Sequence, residues 1–220
     1  MFAGPSERAT PHERRREEFP GNELPHRCQG TKPVTISRRS FLHQGGIGLL
    51  AFTVAGCQQE MTPETARKID VPMQLLSTAE VSAVEALGEA LLPGSAERGL
   101  AHYIDHQLNA PQHENMLMIR YLGVPPPFTP FYKAGLAASA TASTNLFSSD
   151  LQDLDDDQSH EFVGKMASGD VGDWQGPPAA FFYFVLRADA VDVVYGTQRG
   201  FQELGIPYAA HIEPPSRWGE

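Results

Sequence analysis

The clearest hydrophobic pattern in this chain begins at Leu76. After Ser77, the residues Val81, Val84, Leu87 and Leu91 recur at the three- and four-residue intervals of one helix face. Glu80 stands three residues after Ser77 and completes a capping box, and Pro93-Gly94 ends the segment. "AERGLAHYIDHQLNAP" predicts a second amphipathic helix with Leu100, Tyr103, Ile104 and Leu108 on one face, closed by Asn109 and Pro111. "QHENMLMIRYLG" reads as a third helix of about three turns, and "VPPPFTP" as a stiff extended linker. "FYKAGLAASATASTNLF" has helical length, and its small residues imply close packing or mobility. Asp155 to Asp157 suit a helix N-terminus ahead of the apolar face Phe162, Val163 and Met166. "AAFFYFVLRADAVDVVYG" is the most apolar segment; with Pro178 at its start and Gly196 at its end it is expected to be the central helix. The tail from Thr197 reads as loop. With no alternating strand pattern and no repeat, the fold class is all-α: a small irregular helical bundle over residues 76–220, reached by a polar tether at 58–75.

Charge divides the chain at Cys57. Residues 1–56 hold 8 basic and 5 acidic side chains, a balance of +3, whereas residues 57–220 hold 9 and 22, a balance of −13. A basic head on an acidic body is the pattern of a targeting segment followed by its product. The acidic body argues against a nucleic-acid partner, because phosphates need Lys and Arg opposite them. No run reaches the roughly 18 apolar residues of a spanning helix. The two cysteines, Cys28 and Cys57, are too few for a disulfide framework, a four-cysteine zinc site or a haem attachment motif.

The head explains itself at residues 37–57. Ser37-Arg38-Arg39-Ser40-Phe41-Leu42 resembles the twin-arginine (Tat) export signal, and a short glycine-rich apolar stretch follows. Val54-Ala55-Gly56-Cys57 resembles a bacterial lipobox, in which the cysteine becomes the lipidated first residue; small residues before a lone cysteine also fit simple cleavage nearby. The expected product starts at Cys57, has 164 residues, and is a periplasmic protein anchored to the membrane through that residue. Residues 1–36 form a polar leader without a core pattern, expected to be disordered.

Candidate chemistry in the product is sparse. His102 and His106 stand four apart, so both imidazoles share a helix face, as a metal site requires. No general-base Glu and no evident third ligand accompany them, which favours two surface histidines. Asp153 and Asp155 to Asp157 lack the glycine and closing glutamate of a calcium loop. There is no GxSxG elbow and no flavin or nicotinamide fingerprint. The run Phe181 to Phe184 cannot all point inward in so small a domain, so part of it is expected to form a partner surface.

Taken together, "LSTAEVSAVEALGEALLPG", "GLAHYIDHQL", "FFYFVLRADAVDVVYG" and "GFQELGIP" after a Tat signal resemble the gluconate 2-dehydrogenase subunit 3 family, the small gamma subunits of FAD-dependent sugar dehydrogenases. The likeness runs from about Leu76 to Pro207. The chain departs from the family at Thr197-Gln198, where Gly-Asn is usual, and at Phe201, where Trp is frequent. The resemblance implies a non-catalytic accessory subunit that binds no cofactor itself. It would export, mature and stay bound to a large glucose-methanol-choline-type flavoprotein carrying FAD, with a cytochrome c subunit as a further partner. On that reading Arg38, Arg39, Phe41 and Leu42 serve export and Cys57 serves lipidation or cleavage. Trp174, Phe182, Tyr195, Phe201 and Trp218 are the candidate partner surface. Two alternatives stand beside it: a stand-alone periplasmic lipoprotein, and a metal-binding protein using His102 and His106.

Overall fold

The computed structural model describes residues 50–54 and 57–206. These form a helical bundle with one small hairpin. Strand β1 (Leu50–Val54) pairs antiparallel with β2 (Cys57–Met61), with Leu50 opposite Met61 and Val54 opposite Cys57. The helices are α1 (Pro63–Lys68), α2 (Thr78–Leu91), α3 (Leu100–Asn109), α4 (Thr129–Phe147), α5 (Asp156–Ser168), α6 (Ala179–Tyr195) and α7 (Gln198–Glu203).

Caps set the boundaries. Ser77 and Glu80 form the expected capping box on α2, and Asp155 with Gln158 form a second one on α5. Helix α3 starts at Leu100 and not earlier, because Gly99 before it takes φ +82° and lies against the backbone of α1. A β-carbon there would sit 2.3 Å from the Pro63 carbonyl oxygen. Helix α6 is central as expected, touching α2, α3, α4, α5 and α7. Its Phe182 ring lies over Gly135 of α4, where an added β-carbon would come within 2.4 Å of the ring. That close approach is the packing the small residues of α4 make possible. The inward faces of these helices form one core, with Leu87, Leu100, Ile104, Tyr132, Leu136, Phe162, Met166 and Leu186 almost wholly removed from water.

Four expectations are corrected. The third helix is only a 3₁₀ turn, Met118–Leu122, since Asn115 and Gln107 side chains take up the backbone groups that would have continued it. The tail is not all loop: Thr197 caps α7, which Arg98 holds by pairing with Glu203 at 2.7 Å. Residues 58–75, read as a tether, contain β2 and α1, whose Ala66 is fully buried. The hairpin was hidden because Leu50, Phe52 and Val54 do alternate with Ala51 and Thr53, but inside an apolar stretch that also reads as the end of a signal. No helix among the described residues is long and apolar enough to cross a membrane.

Candidate functional site

Helix α3 carries the polar residues that the sequence singled out, and it is buried on nearly every side. His102 is 5% exposed, so it is not the surface residue expected. Its Nε2 lies 3.2 Å from the Val71 carbonyl, and burial lowers its pKa below the usual imidazole range. His106 packs its ring on Phe52, with centroids 5.0 Å apart, and burial lowers its pKa as well. Each histidine thus packs against a neighbouring segment, His102 on Val71 and His106 on Phe52, and the Nδ1 of each is buried without a hydrogen-bond partner. Among the described residues no three His, Cys, Asp or Glu side chains gather as a metal-binding set.

Between the two histidines Asp105 does a job that the sequence reading missed. Its carboxylate accepts the backbone N–H groups of Gln74, Leu75 and Leu76, all at 2.8 Å. These amides precede α2, so one buried side chain fixes the chain's entry into the bundle. Beside it runs an open polar groove of about 710 Å³, bordered by Arg67, Ser77, Glu85 and His102. Three of its polar groups are engaged within the chain: Arg67 to Glu85 at 2.8 Å, Ser77 to the α2 cap and His102 Nε2 to Val71.

A second buried carboxylate, Asp189 of α6, is fully enclosed. It accepts the Met118 backbone N–H at 2.9 Å and the Tyr132 hydroxyl at 2.5 Å. Burial pushes its carboxyl up to about 7, the two hydrogen bonds opposing that rise. Burial and the adjacent carboxylate hold the Tyr132 phenol protonated. The signal was present in the sequence: Asp189 follows Phe182, Val185 and Leu186 in the apolar phase of its helix.

The proposed partner residues fall in different places. Phe182 is 0% exposed and is a core residue, enclosed by Phe131, Tyr132 and Trp174. Trp174 is half-buried beside it and donates its indole N–H to the Pro177 carbonyl. Tyr195 and Phe201 are half-buried at the corner where α6 passes into α7. Within the run Phe181 to Phe184 the ring that faces solvent is Phe184, 49% exposed, with Val191 two turns further on the same helix face. So the run Phe181 to Phe184 is divided between core and surface, as its length required, but at a different residue. Cys57 opens β2 opposite Val54. Arg38, Arg39, Phe41, Leu42 and Trp218 lie outside the described residues.

In comparisons with known proteins, the family model described as "Gluconate 2-dehydrogenase subunit 3" matches residues 78–211. That span runs from the first turn of α2 through α7. No curated protein and no solved structure matched the chain.

Proposed function

The chain belongs to the gluconate 2-dehydrogenase subunit 3 family, and from that membership we propose that it is the non-catalytic accessory subunit of an FAD-dependent sugar or sugar-acid dehydrogenase. The flavin belongs to the large subunit, and this chain binds no cofactor of its own. Its Arg38-Arg39 signal takes the folded pair through the Tat pathway to the periplasm. There the chain stays bound, anchored to the membrane by lipidated Cys57, and a cytochrome c subunit receives the electrons.

The observation that carries this reading is the family match across the helical body. The buried polar groups agree with it in kind. Asp105, His102 and Asp189 each hold a backbone segment of this chain, which is work a scaffold needs done. The partner surface is reassigned from Phe182 to the exposed Phe184 and Val191 together with the Tyr195–Phe201 corner.

The test is co-purification. Tagged chain is drawn in mild detergent from its native envelope, and the eluate is scanned for flavin absorbance and for mass. A stoichiometric large partner with an FAD spectrum is the expected result. A colourless single chain, from cells shown to make the dehydrogenase, overturns the proposal.

A further inference from the structure

Asp189 is fully buried, and among the described residues no cation pairs with it. The groups that face it are few. Helix α4 brings the Tyr132 hydroxyl, and the 3₁₀ turn Met118–Leu122 brings the Met118 amide. Helix α3 brings the Tyr103 phenol, whose hydroxyl donates to the Met116 carbonyl at 3.4 Å. Burial holds both phenols protonated. Asp192, one turn further along α6, adds a second negative charge. The turn's own cation, Arg120, is engaged elsewhere: it donates to the Asn115 carbonyl and lies 5.5 Å from the centre of the Tyr121 ring. Helices α2, α5 and α7 also pack on α6, and no charged group of theirs acts on Asp189.

An ionised carboxylate offers about four acceptor sites, and two donors leave half of them unmet. The missing donors have to be water. On the α4 side the way is closed by the Tyr132 ring, packed against Phe131 and Phe182. On the other side stands a single layer of chain, the 3₁₀ turn, whose Tyr121 and Leu122 are 65% and 37% exposed. The turn is jointed at both ends. Before it, Asn115 and Gln107 tie the chain to α3 through hydrogen bonds that do not involve Asp189. After it comes Gly123, with φ +74° and open space around it. Between these joints the turn is seated by the buried Ile119 and tied to α6 by the bond from Met118 to Asp189.

We propose that Asp189 and the Met118–Leu122 turn form a pH-operated latch: the turn closes over the neutral carboxyl and lifts between its two joints to let water reach the ionised one. The carboxyl lies near 7 when enclosed, so the latch works around neutral pH. Closed, it holds Tyr121 and Arg120 at the surface in one fixed arrangement. Open, that arrangement loses its footing, and the proton on a core carboxyl is read at the surface of the molecule. The latch is built wholly from this chain's own residues and does not rest on the accessory-subunit reading.

The test is amide hydrogen exchange on the full chain, read residue by residue by NMR and corrected for the intrinsic pH dependence of exchange. The Met118 and Arg120 amides, bonded to Asp189 and to the Leu117 carbonyl, report the turn. The Val84 and Leu87 amides, inside α2, report unfolding of the whole bundle. Protection of the turn should fall about tenfold between pH 6 and pH 8, the change set by a carboxyl near 7 when closed and near 4 when open. Low urea should leave the turn's exchange almost unchanged while speeding that of α2, because a local opening exposes little surface. In Asp189→Asn the fall with pH should vanish. A fall that survives in Asp189→Asn overturns the latch, and so does a turn whose protection is flat with pH in the native chain. Turn and α2 amides that exchange together, with one urea dependence, also overturn it, since the opening is then global. Tyr132→Phe covers the case in which Asp189→Asn does not fold. Losing the phenol's bond moves the carboxyl higher, so the fall in protection should continue above pH 8. An unchanged pH range in that variant overturns the proposal.

Discussion

Asp105 and Asp189 are both buried carboxylates on core helices, 4% and 0% exposed, yet they are solvated in opposite ways. Asp105 receives three backbone amides from consecutive residues, which meet both of its carboxyl oxygens. Asp189 receives one amide and one phenol inside an apolar helix contact, too little to offset its desolvation. The difference teaches how burial alone fails to describe a polar group. At the entry to α2 the carboxyl group organises the backbone. At the centre of the bundle the carboxyl is suspended near neutrality and its state follows pH.

The largest expected effect is at Asp105. Asp105→Ala leaves three amides without their acceptor. Gln74 is exposed and can turn to water, but Leu76 is buried and cannot. With two amides left unmet, a loss of roughly 2–6 kcal/mol of unfolding free energy is expected, from one to three kcal/mol per unmet bond. Urea unfolding measures it. A loss below about 1 kcal/mol, within the scatter of ordinary surface changes, would mean that the cradle is not what fixes the start of α2.

Asp189→Asn comes next and probes the other half of the contrast. The folded-state carboxyl titrates near 7, above the ordinary carboxylate value, so the folded protein holds a proton that the unfolded chain has released. That contributes stability which is complete below about pH 4 and is lost as pH rises toward about 7. The amide cannot ionise and still reaches Met118 and Tyr132. Unfolding free energy measured at pH 5 and pH 8 should therefore differ less in the variant, the native difference being on the order of 2–4 kcal/mol. Parallel pH curves for the two proteins would show that Asp189 carries its charge equally well folded and unfolded.

The same contrast explains what could be read from the sequence. The α2 capping box, the end of α3 and the central place of α6 follow from local spacing and caps, which act within a few residues. The anchoring of the Met118 amide and the burial of His102 depend on partners tens of residues away, Asp189 and Val71, which no local pattern announces. Phe182 and Phe184 show the limit within one helix. Both are aromatic neighbours in an almost uniformly apolar segment, so no amphipathic phase tells which faces in. The glycine at 135, fitted to the Phe182 ring, decides it. Asp189 was legible in principle as the one charge in the core phase of that segment.

Tyr132→Phe is the smallest of these changes and the sharpest on mechanism. The phenol is buried and gives its hydrogen bond to Asp189, and that bond favours the ionised carboxyl. Removing it leaves Met118 as the remaining hydrogen-bond donor to Asp189 and moves the carboxyl still higher. The fall in stability should then extend to higher pH than in the native chain. Below pH 5, where the carboxyl is neutral, the lost bond is an ordinary one worth about 1 kcal/mol. At pH 8 the bond is charge-assisted and its loss roughly doubles. Chemical denaturation at the two pH values separates the cases. An equal loss at both would mean that Tyr132 contributes shape alone, and that Asp189 is tuned by burial and the Met118 amide without it.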